Sequence, residues 1–169
     1  MKKIGLMLLV VLLAFCLFGC SKGSTKEFKS YLPPESAAVG DDVQIDGSNH
    51  IQIKQADVVS VDSQEILLIT YDWYFDGGGA RVGSDHYLIT AKQGGVSLTP
   101  DLSQVSDIKK LVTQIEAGEK IEDIQQGFIL NDATLPVKLA LKGNDTAIFD
   151  EDGRPVQPYA VTVEVKLES

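Results

Sequence analysis

From Ile51 onward the dominant pattern is a period of two. Tyr159, Val161, Val163, Val165 and Leu167 alternate with Ala160, Thr162, Glu164 and Lys166, as in a strand with one buried face, and Val137, Leu139 and Leu141 repeat this against Lys138 and Lys142. Residues 66–75 are apolar on both faces at first and end in Tyr71, Trp73, Tyr74 and Phe75, as expected of a central strand between two layers, with Trp73 in the core. Further strands are expected at 51–61, 86–92, 96–98, 111–116 and 120–130. They are separated by turn signals at Gly77-Gly78-Gly79, Gln93-Gly94-Gly95, Ala117-Gly118, Asn131-Asp132 and Asp152-Gly153. One helix is expected near residues 100–110: Thr99 is a capping residue, Pro100 suits the first helical position, and Leu102, Val105, Ile108 and Leu111 recur at helical spacing. Some seven strands with one short helix imply an all-β fold of two antiparallel sheets packed face to face.

Before residue 50 the pattern changes. Lys2 and Lys3 precede an uncharged apolar run from Ile4 to Phe18, which ends in Leu17-Phe18-Gly19-Cys20. The run is shorter than the roughly 20 residues a spanning helix needs, and small Gly19 before a cysteine is a lipobox pattern. Residues 1–19 are therefore expected to be a lipoprotein signal peptide and Cys20 the lipidated N-terminus, with the chain anchored to the extracytoplasmic face of the cell membrane. Cys16, the rival, follows bulky Phe15. Residues 20–49 scatter Ser, Gly, Lys and Asp around Pro33-Pro34 and read as a tether, flexible over an r.m.s. span of roughly 30 Å. Val43 and Ile45 are compatible with a short edge strand. The sandwich domain is expected at 50–169.

Composition narrows the chemistry. Cys16 and Cys20 are the only cysteines, so the exported domain has no thiol for catalysis, disulfides or zinc. A core of this size stands without such staples. The formal charge is −9, and removal of Lys2 and Lys3 with the signal leaves −11. That field repels phosphate backbones and argues against nucleic acid as a partner.

The sequence marks of the domain resemble those of Gram-positive lipoprotein domains of unknown function with an immunoglobulin-like sandwich, related in fold to a small secreted mycobacterial antigen. Leu67-Leu68-Ile69-Thr70-Tyr71 enters a polar turn, and Gln93-Gly94-Gly95-Val96-Ser97-Leu98 matches a Gln-x-Gly-x-x-Leu turn and strand. Ile115-Glu116-Ala117-Gly118-Glu119 is similar to an Ile-x-Pro-Gly-x turn, with Ala117 in place of proline. Phe128-Ile129-Leu130-Asn131-Asp132 is similar to an aromatic-x-Leu-x-Asp strand end, and Asp76-Gly77 stands where Asn is usual. These marks cover about residues 51–141. The resemblance implies an immunoglobulin-like fold and brings no established active site.

Catalytic constellations are not apparent. His50 and His86 are the only histidines, and Asp85 and His86, as neighbours on an expected edge strand, would point to opposite faces. The run Gly77-Gly78-Gly79 with Gly83 lacks the spacing and following helix of a phosphate loop and reads as a mobile loop. Asp150-Glu151-Asp152-Gly153 has part of a calcium-loop rhythm, but Ile148 and Tyr159 occupy ligand places, which excludes an EF-hand. A looser calcium site from Asp145, Asp150 and Asp152 is a weak candidate beside the plainer reading of a solvated acidic turn. Scattered carboxylates such as Asp72 and Asp76 are of the type a glycosidase pair uses, but the sequence sets no distance between them.

No cofactor or catalytic residue is assigned. The expected function is a non-enzymatic surface module that binds a protein, peptide or cell-wall ligand; the alternative is a small envelope hydrolase acting on wall polymer. Binding is expected at the loop 76–85 with its aromatic approach, through Trp73, Phe75, Asp76, Arg81 and Asp85. Arg81 is the only positive charge between Lys54 and Lys92.

Overall fold

The computed structural model describes residues 32–144, 148–149, 152, 155–156 and 159–167. In chain order the elements are β1 (Ser36–Ala37), β2 (Asp42–Gln44), β3 (Asn49–Val61), β4 (Gln64–Phe75), β5 (Arg81–Val82), α1 (Gly83–His86), β6 (Tyr87–Gln93), β7 (Val96–Ser97), β8 (Thr99–Asp101), a 3₁₀ helix (Ile108–Val112), β9 (Gln114–Ile115), β10 (Glu119–Ile129), β11 (Val137–Gly143), β12 (Ile148–Phe149), β13 (Pro155–Val156) and β14 (Val161–Val165). One five-stranded sheet has the order β1-β14-β11-β6-β7 and the other β2-β3-β4-β10-β8, while β12/β13 and β5/β9 form two-stranded ribbons. Every pairing among them is antiparallel except that of β1 with β14. The chain is an immunoglobulin-like antiparallel β-sandwich with one short helix.

Alternation decides the layers. In β6, Tyr87, Ile89 and Ala91 are buried while Leu88, Thr90 and Lys92 are exposed. β4, the longest-buried strand, lies between β3 and β10, and Tyr71, Trp73 and Phe75 all point into the core at 0–1% exposure. Each such side chain contributes roughly 1.5–3 kcal/mol of burial. The two sheets meet at an aromatic cluster: Trp73 and Tyr87 rings are 5.3 Å apart, and the Tyr71 and Tyr87 hydroxyls share a hydrogen bond of 3.0 Å. Burial pushes Tyr87 up to about 12, with the Tyr71 hydrogen bond opposing it, and burial followed by the presence of Tyr87 pushes Tyr71 well above its ordinary value. The Trp73 indole N–H donates to Asn49 Oδ1 at 2.9 Å, so the buried polar atom has its partner.

The boundary between tether and domain lies earlier than expected. Val43 and Ile45 are buried, β2 pairs with the start of β3, and the Asp46 carboxylate closes a turn by accepting from the Ser48 and Asn49 amides and the Asn49 side chain. The sandwich therefore includes residues from the mid-thirties onward; strands of two and three residues are too short to show a period. Gly143 at the end of β11 faces this turn, where a Cβ would collide with the Asp46 carboxylate.

The helix expected near residues 100–110 is corrected. Thr99–Asp101 pairs with Gly127–Ile129 as the edge strand β8, and only Ile108–Val112 is helical, as a 3₁₀ turn. Leu102 and Ile108 of the supposed apolar stripe are 44% and 52% exposed, so no core face rewards a longer helix. The strand expected at 111–116 shrinks to β9. His86 ends α1 instead of lying on an edge strand.

Candidate functional site

The expected loop site is built differently from its sequence reading. Trp73 and Phe75 are core residues, not exposed contact edges. The Asp76 amide donates to Ser48 O at 3.0 Å, and Gly77 sits so close to the Phe75 ring and Ser48 Oγ that a Cβ there would overlap both. Arg81 pairs in β5 opposite Ile115, lays its guanidinium 5.8 Å from the Phe75 ring centroid, and donates to Ala80 O at 3.1 Å. Asp85 is exposed in the first turn of α1. The loop is thus folded back over Phe75, and of its expected contact residues Asp76 and Asp85 remain on the surface. Cys20, Asp145 and Asp150 lie outside the described residues, and Asp152 is exposed.

A charged cluster that the sequence did not single out occupies the outer face of β3, β4 and β10. Its centre is Asp72, 3% exposed on the middle strand. Two bulges flank it: β3 shifts register between Ile53 and Gln55, and β10 between Ile121 and Ile124, where Asp123 takes φ 55°. The bulges turn charged groups onto Asp72. Its carboxylate accepts from the Asp123 amide at 2.9 Å and meets Lys120 Nζ at 2.7 Å and Lys54 Nζ at 3.4 Å, while Lys54 also bridges Asp123 at 2.7 Å. Burial pushes the Asp72 carboxyl up, but the hydrogen bonds from Lys120 and the Asp123 amide outweigh it and hold the group below its ordinary value. The Asp123 hydrogen bond raises Lys54, against desolvation, and the Asp72 hydrogen bond raises Lys120.

Beside the cluster, Asp42, His50, Gln52, Tyr74, Asp72 and Lys120 line a shallow hollow of about 150 Å³. His50 places Nδ1 3.7 Å from Asp42 and Nε2 3.9 Å from Asp76, so both nitrogens face carboxylates. Asp72, anionic and clamped by two ammonium groups, is unsuited to donate a proton as a glycosidase acid would.

A second feature lies at the rim. β2 pairs with β3 only at His50–Gln52, and Gly40 extends this by one amide bond to Ile53 O. Beyond that point the outer edge of β3 has no partner strand among the described residues. Ala56, Asp57 and Val58 of this edge, with Ala38, Val39, Glu164, Val165, Lys166 and Leu167, line an open groove of about 550 Å³ between the two sheets. Ala56, Val58 and Leu167 pack on the core beneath it.

No protein-family model matches the chain, and no curated protein matches it in sequence. Among solved structures, it is similar to a candidate lipoprotein from Bacillus subtilis at 14% identity, with a TM-score of 0.53 over 79% of this chain and 40% of that one. A candidate lipoprotein from Staphylococcus aureus is similar at 12% identity, with a TM-score of 0.51 over 75% of this chain and 92% of that one. A β-sandwich protein from Clostridium difficile is 14% identical, with a TM-score of 0.42 over 80% and 98% of the two chains. At such identities the first two likenesses are of fold, and the chain spans well under half of the Bacillus subtilis protein.

The rim edge had a signal in the sequence, because the expected strand 51–61 was much longer than any candidate partner before it. The Asp72 cage had none, since bulges leave no mark in a period-two pattern.

Proposed function

We propose that the chain is a membrane-anchored extracytoplasmic lipoprotein whose sandwich binds a partner protein without catalysis, taking an extended segment of that partner along the free edge of β3. The observation that carries this reading is the unpaired stretch of β3 beside an apolar groove. An added strand would satisfy the exposed backbone groups and send alternate side chains into the groove. Asp57 stands in the middle of the edge. Antiparallel self-pairing centred there would set like charges face to face, which favours a neutral or basic partner segment over a second copy.

The lipobox at Cys20 supports the anchor, and the shared fold with two candidate lipoproteins is consistent with it. Leu32 follows Cys20 by twelve residues, so the intervening chain reaches about 40 Å at most and keeps the domain near the membrane. The caged Asp72 and the carboxylate-facing His50 support binding over hydrolysis.

The test has two arms. Cys20→Ala should release the protein from the membrane fraction or leave a precursor, and unchanged processing and retention would contradict the anchor. In hydrogen exchange on the full-length protein, amides of residues 55–61 should exchange faster than those of 50–53 and slow when partner is bound; rim amides unaffected by a bound partner would contradict the edge reading.

A further inference from the structure

The chain's acidic balance hides a segregated surface. On the outer face of the β2-β3-β4-β10-β8 sheet, Lys54 and Lys120 are both held by carboxylates. The opposite sheet differs. Register across β6 and β11 sets Lys92 directly opposite Lys138, and Lys142 opposite Leu88. Among the described residues none of Lys92, Lys138 and Lys142 makes an ion pair or side-chain hydrogen bond. Glu164, opposite Lys138 on β14, is the acid of these rows. Like charges directly opposed on a sheet are unfavourable, and nothing in the fold requires that pair.

Between the lysine rows runs a row of small side chains, Thr90, Ala140, Thr162 and Ser36, in register across four strands. Rows two residues apart lie roughly 7 Å from one another. Three of the four residues of this row carry hydroxyls; on one side stand Lys92, Lys138 and Glu164, and on the other Leu88 and Lys142. Lysine acts on phosphate as a point charge, whereas planar carboxylates favour the arginine fork, and among the described residues this face carries no arginine. Nor do its described residues on β6, β11, β14 and β1 offer an aromatic platform for bases.

We propose that this face binds a linear phosphodiester polymer of the polyol-phosphate kind, laid along the Thr90-Ala140-Thr162-Ser36 row between Lys92/Lys138 and Lys142. The three lysines do not line the rim groove, so substitutions separate the two surfaces.

The full-length protein, reconstituted in phosphatidylcholine vesicles, is titrated with fluorescent polyglycerol phosphate and read by anisotropy at two salt concentrations. Wild type should bind, and Lys92→Gln with Lys138→Gln should weaken binding about tenfold and lower the salt slope by roughly one to two. Lys109→Gln, on the 3₁₀ helix, should change nothing. Relief of the Lys92–Lys138 opposition and loss of the opposite-charge neighbour Glu164 roughly offset, so Tm should change by no more than about 2 °C and loss of binding is distinguished from unfolding. Absence of binding, an equal loss in Lys109→Gln, or equal binding of polyglutamate or single-stranded DNA would overturn the assignment. So would protection of Lys92, Lys138 and Lys142 from acetylation by phosphatidylglycerol vesicles with no protection by polymer, which would give the face to lipid headgroups.

Discussion

The side chain of Gln93 is closed onto the backbone of Asp132: its Nε2 donates to Asp132 O at 2.6 Å, and its Oε1 accepts from the Asp132 amide at 3.0 Å. Gln93 Nε2 also donates to Leu135 O at 2.8 Å, and Gln93 Oε1 also accepts from the Asn131 amide at 3.0 Å. Gln93 begins the Gln-x-Gly-x-x-Leu mark and Asp132 ends the aromatic-x-Leu-x-Asp mark, so two sequence features 39 residues apart are halves of one lock. Gln93→Ala removes four bonds at a site 3% exposed and should cost about 2–4 kcal/mol in urea unfolding. A loss below about 1 kcal/mol would mean that the loop holds itself.

Asp72 should govern acid stability. Its folded value lies below the unfolded one, so its contribution is complete above the unfolded value near 4 and fades as pH falls through that range. Asp72→Asn keeps an acceptor for the Asp123 amide but takes the buried carboxylate away from Lys54 and Lys120, which retain only the exposed Asp123 and Glu122. With both lysines over a third exposed, the expected cost is about 1–2 kcal/mol at neutral pH, and it is lost as pH falls through the lowered folded value of Asp72. A pH-independent cost would contradict the ion cage.

The Tyr71–Tyr87 pair sets the alkaline limit. Both folded values lie above the unfolded one near 10, so this contribution is complete below pH 10 and is lost as pH rises toward 12. Ultraviolet titration should show these two tyrosines ionising only with unfolding. Tyr87→Phe strands the Tyr71 hydroxyl and should lower stability by about 1–2 kcal/mol.

Gly143→Ala should be strongly destabilising, by about 2–3 kcal/mol, through collision with the Asp46 carboxylate. Gly78→Ala, with open space around the site, should be nearly silent when the two variants are compared by thermal unfolding.

Period two made the long strands legible, and Trp73 was placed correctly because an aromatic run on a two-faced strand must lie between layers. Thr99-Pro100 misled, since the same residues that start a helix also open an edge strand, where proline's missing N–H goes unnoticed. Val43 and Ile45 marked β2 as a short edge strand, whereas β1 was invisible because its pairing is with β14, distant in sequence. The binding loop was misread for a related reason: glycines beside aromatics suggested an exposed mobile tip, whereas Gly77 is there to let the chain pass over Phe75.

The most direct test of the central claim is photo-crosslinking on intact cells from an unnatural residue at position 57, compared with one at position 85 on the folded-back loop. The account predicts one discrete protein adduct from position 57 and none from 85. No adduct from 57, together with cleavage of wall polymer by the purified full-length protein, would contradict it.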